Sequence, residues 1–178
     1  MLNGFKLRVG QYAIRRSCKQ QHCRRQFHNF NTAKSVGILY MYDALPETDL
    51  SGFIKFFTDR QIKVKTLGFT GKPEIPQSFL TTVNKRLFCR EQLNWYKRPS
   101  SDVVDTFIAE PFDILIDFSR EFVFPLHYIA SLSHAAMRVG RFAYSNNPYE
   151  FILTMPKNVE DKEYIEQLKH YLQTIQTS

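Results

Sequence analysis

The sequence predicts an α/β protein: a doubly wound, mostly parallel sheet in a Rossmann-like, three-layer arrangement, preceded by a basic helical arm. Three observations predict it. Apolar runs of strand length recur between segments of helix length, which is the pattern of right-handed β-α-β units. The run FDILID at 112–117 is apolar almost throughout, as in a strand covered on both faces. All of the excess positive charge lies before the first acidic residue, Asp43. We therefore divide the chain into a basic arm, 1–32, and a single α/β domain, 33–178.

Within the arm, residues 4–27 carry Phe5, Val9, Tyr12 and Ala13 on one face at helical spacing, a stripe that fades after Arg16. SVGILYMYD (35–43) reads as a buried strand ending at an Asp-containing loop. Thr48 and Asp49 then cap a helix whose Leu50, Phe53, Ile54 and Phe57 fall at i, i+3, i+4 and i+7. IKVKTLGF (62–69) alternates at first, as a strand with one wet face does. GKPEIPQ (71–77) is a loop, RLFC (86–89) a short strand, and Ser101 or Asp102 caps a helix through Val104, Phe107 and Ile108. FDILID is the central strand and MRVGRF (137–142) its parallel neighbour. The helix between them has Pro125 in its first turn, where a missing N–H costs nothing. YEFILTM (149–155) is a further strand. Asn158 caps a last helix with Tyr164, Ile165, Leu168, Leu172 and Ile175 along one stripe.

At 178 residues, with 43% apolar residues and 16 Phe, the chain can bury a full core in one domain. No apolar run of about 18 residues exists, so no spanning helix is expected. The amino-terminal segment is broken by charge every few residues and lacks the apolar stretch of a secretory signal. Three cysteines fit a reducing compartment, and a cytoplasmic location is expected. Residues 1–42 hold eight cations (Lys6, Arg8, Arg15, Arg16, Lys19, Arg24, Arg25 and Lys34) and no acid. Of 24 Lys and Arg, 16 remain for the body against 17 acids, so the body carries −1. A near-neutral body with a basic extension is the pattern of a tail that meets phosphate. A solubilising, frayed terminus is the plainer alternative. An anionic membrane surface fits less well, because the arm's apolar face is short and has no Trp.

The first strand-to-helix turn, YDALPET, has no glycine, so it lacks the dinucleotide fingerprint; no Walker A segment exists, and GFTGK (68–72) reads as a turn. Cys18, His22, Cys23 and His28 invite a zinc reading. Their C-x4-C spacing has no second ligand pair, and Arg24 and Arg25 adjoin them, so no metal is expected. His127, Ser131 and His134, with Asp117 and Ser119, are the one cluster that suggests hydrolysis, but no nucleophile elbow accompanies them. No cofactor is expected. A doubly wound sheet holds ligands outside the carboxyl ends of its strands, here Tyr42, Asp43, Gly68, Thr70, Asp117, Ser119 and Arg141. Trp95, the chain's one tryptophan, is followed by Tyr96, Lys97 and Arg98. The cluster can stack a base and neutralise a phosphate, or Trp95 can plug the core beneath its loop.

The stretches NFNTAKSVGIL (29–39), LNWYKRP (93–99) and FDILIDFSREFVFPLHYIASLSHAAMRVGRF (112–142) resemble an uncharacterised Bacteroidetes family of unknown function. Its pattern joins a basic lead-in, an N-[FT]-A-K-[ST]-[IV]-G-[IV] strand entry, a Leu-Asn-Trp segment, and D-[IL]-L-I-D-[LF]-S followed by F-P-L-x-Y-I-A. The likeness covers nearly the whole chain and implies a bacterial cytoplasmic protein without an assigned activity. Residues 112–142 also resemble a strand-helix-strand unit of heptosyltransferase-type glycosyltransferases, although the chain has no second domain for a donor.

The first expectation for function is a non-enzymatic RNA- or ribosome-associated protein. It would bind through the eight arm cations together with Trp95, Lys97 and Arg98. If half of those eight cations meet phosphates, binding falls with salt at a log–log slope of roughly −3 to −4. The alternative is a small-molecule-binding Rossmann-like domain, or a degenerate nucleotide or sugar enzyme, using Asp43, Thr70, Asp117, Ser119 and Arg141. Two carboxylates in that crevice, Asp43 and Asp117, would repel an anion there.

Overall fold

The structure is a computed structural model that describes Val9, Tyr12, Ile14 and residues 25–79, 82–156 and 158–175. Its strands are β1 (Ser35–Met41), β2 (Lys63–Phe69), β3 (Lys85–Phe88), β4 (Ile114–Asp117), β5 (Met137–Gly140) and β6 (Phe151–Ile152). They form one sheet in the order β3-β2-β1-β4-β5-β6, and every pairing is parallel, so the expectation of a mostly parallel sheet is met in full. Helices α1 (Glu47–Thr58), α2 (Asp102–Ala109), α3 (Phe124–Leu132) and α4 (Asp161–Thr174) complete the body, with a 3-10 turn at Arg90–Gln92. No described helix is long and apolar enough to cross a membrane.

The sheet separates two cores. On one face Val36, Ile38, Ile116 and Val139 pack with Leu50, Phe53 and Phe57 of α1 and with Tyr164, Leu168 and Leu172 of α4. On the other, Leu39, Leu67 and Leu115 pack with Val104 and Phe107 of α2, with Leu126 and Ile129 of α3, and with Ile14. Alternate residues of one strand serve opposite layers, as the period of two requires. The three-layer expectation therefore holds. Among residues of the predicted arm helix, Val9, Tyr12 and Ile14 are helical, and Ile14 is buried.

Residues 25–33 pass below the amino ends of the strands and connect the two layers. Gln26 N–H donates to Ala136 C=O at 3.2 Å, and Phe30 N–H to Leu172 C=O at 3.1 Å. The Asn29 side-chain amide reaches Ile175 C=O at 3.0 Å. The Phe30 ring meets Phe56 and Phe57 edge-on at 5.4 and 5.0 Å. Asp113, just before β4, accepts from the backbone N–H of Lys34 and of Ser35 at 2.6 and 3.0 Å and so fixes the entry to β1.

Three boundaries differ from the sequence expectations. Helix α1 begins at Glu47 with Pro46 in the cap position, so Thr48 and Asp49 lie inside its first turn. The last helix starts at Asp161 behind Glu160, because a turn closed by Val159 N–H on Pro156 C=O takes up the residues around Asn158. The last strand is two residues long, not seven: Tyr149 leaves the sheet direction to lie on Gly140. A Cβ at Gly140 would stand 2.3 Å from the Tyr149 ring, so no other residue leaves room for it.

Candidate functional site

The strand order places the switch point between β1 and β4. The chain leaves β1 for α1 on one face of the sheet and leaves β4 for α3 on the other, and the two loops diverge. Between them, closed on the far side by residues 141–143 and 154–156, is a cavity of about 620 Å³. Leu45, Phe118, Val123, Phe142 and Met155 give it apolar walls, and Ser119, Arg120, Glu121, Arg141 and Asp161 supply its polar groups.

The polar groups are organised around one carboxylate. Arg141 donates from Nη1 to Asp161 Oδ1, and both side chains are buried. Arg120 reaches the same oxygen from Nη2 at 2.8 Å with its side chain 41% exposed. The Arg141 guanidinium also lies over the Tyr164 ring, 4.2 Å from its centroid, which fixes it from behind. Ser119 is 7% exposed, and its hydroxyl lies near Asp117 yet meets hydrogen-bond geometry with no atom.

Asp117 turns away from this cavity. It shares a face of β4 with Leu115 and is buried on the α3 side. Its Oδ1 accepts from Ser119 N–H at 2.9 Å and its Oδ2 from the Tyr149 hydroxyl at 2.7 Å. Tyr144 donates to Tyr149 at 3.5 Å, and His127 Nδ1 lies 2.7 Å from the Tyr144 hydroxyl. Burial raises the Asp117 carboxyl above its usual range, against the Ser119 and Tyr149 hydrogen bonds that pull it down. Burial also lowers His127 to about 4 and raises both tyrosines. The chain Asp117–Tyr149–Tyr144–His127 is a closed polar network with no free space for a substrate beside it. The cluster expected from sequence is therefore partly assembled: His127 does connect to Asp117, but through two tyrosines that no helical spacing points to.

The other crevice residues part company. Thr70 donates to Asp43 Oδ2 at 3.3 Å, and Lys72 pairs with Asp43 Oδ1 at 3.0 Å. Asp43 lines a neighbouring cavity of about 570 Å³ with Tyr42, Glu47, Phe79 and Lys85, of which Glu47 and Lys85 are paired to each other. Of the five crevice residues expected, Ser119 and Arg141 line the cavity at the switch point. Arg120 and Asp161 complete it, and sequence reasoning missed both. Arg120 adjoins Ser119 in the same loop, which was the available signal.

The Trp95 segment is a pinned loop at the carboxyl edge of the sheet. Leu93 and Pro99 bridge its base, and Asn94 Oδ1 accepts from the N–H groups of Tyr96 and Arg98 at 3.2 and 3.0 Å. Lys97 has φ 69°, the left-handed region, at the tip. Trp95 is 60% exposed, which overturns the reading of it as a core plug; the loop is too tight to fold its ring inward. Arg98 lies over the Tyr128 ring at 5.4 Å.

Arg25 and Lys34 sit at the opposite, amino edge. Arg25 donates to Ala135 C=O at 2.8 Å and pairs with Glu150 at 3.4 Å, while Lys34 is exposed. A seven-residue strand separates the two edges by roughly 20 Å at about 3.3 Å per residue. Lys6, Arg8, Arg15, Arg16, Lys19 and Arg24 lie outside the described residues, as do Cys18, His22 and Cys23 of the zinc reading. His28, the remaining member, is described and half-buried.

A family model matches residues 6–175, and the chain belongs to that family, a family of unknown function (DUF6913). No curated protein and no solved structure matches it.

Proposed function

We propose that this member of a family without an assigned activity is a non-enzymatic, small-molecule-binding domain whose ligand occupies the cavity between the β1 and β4 loops. One observation carries the reading: the cavity coincides with the topological switch point of a 3-2-1-4-5-6 sheet, where such folds hold ligands. The objection that two carboxylates would repel an anion there loses its force. Asp117 is turned beneath α3, and Asp43 is paired with Lys72. A binding role fits better than catalysis because the titratable network around His127 is sealed. The motif resemblance supports a cytoplasmic setting in a bacterium of the Bacteroidetes. The test is a fragment screen read by amide chemical shifts. Ligands should perturb Leu45, Ser119, Arg120 and Phe142 together, and should lose binding in Met155→Trp, which fills the cavity. Hits scattered over other surfaces, or unaffected by Met155→Trp, would refute it.

A second reading, binding to RNA or the ribosome, is favoured by a different observation. Eight cations stand before the first acid, and Trp95 is displayed beside Lys97 on a pinned loop. Replacing Lys6, Arg8, Arg15, Arg16, Lys19 and Arg24 with Gln should lower RNA affinity and flatten its salt dependence. Trp95→Ala should weaken single-stranded RNA by about 1–3 kcal/mol. Unchanged affinity and slope in the six-fold variant would remove this reading.

A further inference from the structure

We infer that the ligand of this cavity is an amphiphile: an apolar or aromatic body carrying a single acidic group, with the acid docked on Arg120. The inference rests on the cavity reading and narrows it to a chemical class. Arg141 and Arg120 converge on one oxygen of Asp161, so one carboxylate faces two guanidiniums. Glu121 also lines the cavity but forms no ion pair with either arginine. The two arginines are not equivalent. Arg141 is buried and held against Tyr164, whereas Arg120 makes one contact, at 2.8 Å, and is substantially exposed. A guanidinium has five N–H donors, so Arg120 can keep its hold on Asp161 and still present a fork to an incoming acid. Ser119 also lines this wall, with its hydroxyl beside Asp117. Leu45, Phe118, Phe142 and Met155 make most of the remaining wall apolar, which suits a hydrocarbon or ring.

A second acid has no seat at the amino end of α1, which lies outside this cavity. In a dinucleotide site the pyrophosphate rests on the amino end of the first helix. Here that end begins at Pro46, carries Glu47 and Asp49 in its first turn, is approached by a turn without glycine, and belongs to the neighbouring cavity, where Glu47 pairs with Lys85. Acidic side chains at a helix amino terminus already satisfy its dipole and repel a second anion. The arginines of the lining are Arg120 and Arg141, and Arg120 is the one with an exposed side chain.

Two fluorescent probes of nearly the same shape test this. 8-Anilinonaphthalene-1-sulfonate has an aromatic body and one acid; N-phenyl-1-naphthylamine has the body alone. On the folded protein, both should bind saturably at one per chain. Arg120→Gln should weaken the sulfonate about tenfold, the loss expected for one charge-assisted contact, and change the neutral probe less than about twofold. Met155→Trp should abolish both, with unchanged circular dichroism. If Arg120→Gln leaves the sulfonate within twofold while Met155→Trp still removes both probes, the acid-binding inference fails and the cavity reading survives. If neither probe binds, or both bind Met155→Trp normally, both fail.

Discussion

Asp117 and His127 end one hydrogen-bond chain, and burial acts on both by disfavouring charge. Their effects on stability with pH have opposite signs. His127 titrates at about 4 in the folded state and near 6.5 when unfolded. Between those values the unfolded chain binds a proton that the native state refuses, so stability falls as the pH drops from about 6.5 to about 4. The full contribution is about 3 kcal/mol. The Asp117 carboxyl is raised, so the native state holds its proton longer, and stability falls as the pH climbs from the usual Asp range through the folded value. Urea titrations from pH 4 to 7 should show His127→Gln with a flatter slope than the parent; equal slopes would place the loss elsewhere. Asp161→Ala should cost about 3–5 kcal/mol, because it strands the buried Arg141 charge. At this scale the sequence located Ser119 and Arg141 from topology alone. It could not show that Asp161, read as an acid at a helix start, would meet arginines 20 and 41 positions earlier, since that depends on the bend after Gly140.

Helix α3 shows what element-level patterning conveys and what it hides. All nine of its residues, Phe124–Leu132, are buried, although an outer-layer helix ordinarily keeps a wet face. The sequence FPLHYIASL has no charged residue, and that was a legible sign that something covers it. Pro125 marked its start correctly. The apolar stripe of the arm runs through Ala13 in the sequence reading, whereas Ile14 is the residue buried in the α2–α3 core. Ile14→Ala should therefore cost about 2–5 kcal/mol, measured by denaturant unfolding, while Tyr12→Ala, at a position 69% exposed, should cost under about 0.5 kcal/mol. Equal effects at the two positions would contradict the packing. The short edge elements failed for a different reason. Residues 149–155 have strand composition, yet only Phe151 and Ile152 pair, because Gly140 accepts the Tyr149 ring where a ladder would continue.

For the whole molecule, the order β3-β2-β1-β4-β5-β6 is the dinucleotide-binding arrangement, and composition alone could not choose it over the other doubly wound orders. Order without the glycine turn does not make a nucleotide site. ATP, GTP, NAD and nucleotide-sugars should leave the melting temperature unchanged. A real site at 100 times its Kd would add about 2.7 kcal/mol, a shift of several degrees. Such a shift, abolished by Arg120→Gln, would reverse this conclusion. The segment below the sheet has a consequence for the timing of synthesis. Asn29 bonds to Ile175, 146 positions later. At 5–20 residues per second, translation takes roughly 7–30 s to cover that interval. Through that time Phe30 and the α1 phenylalanines are on a growing chain whose last helix, α4, has yet to be made. This wiring is completed only after Ile175 has been translated, so a stalled or truncated product that lacks α4 should present a cluster of uncovered aromatic rings to the quality-control machinery.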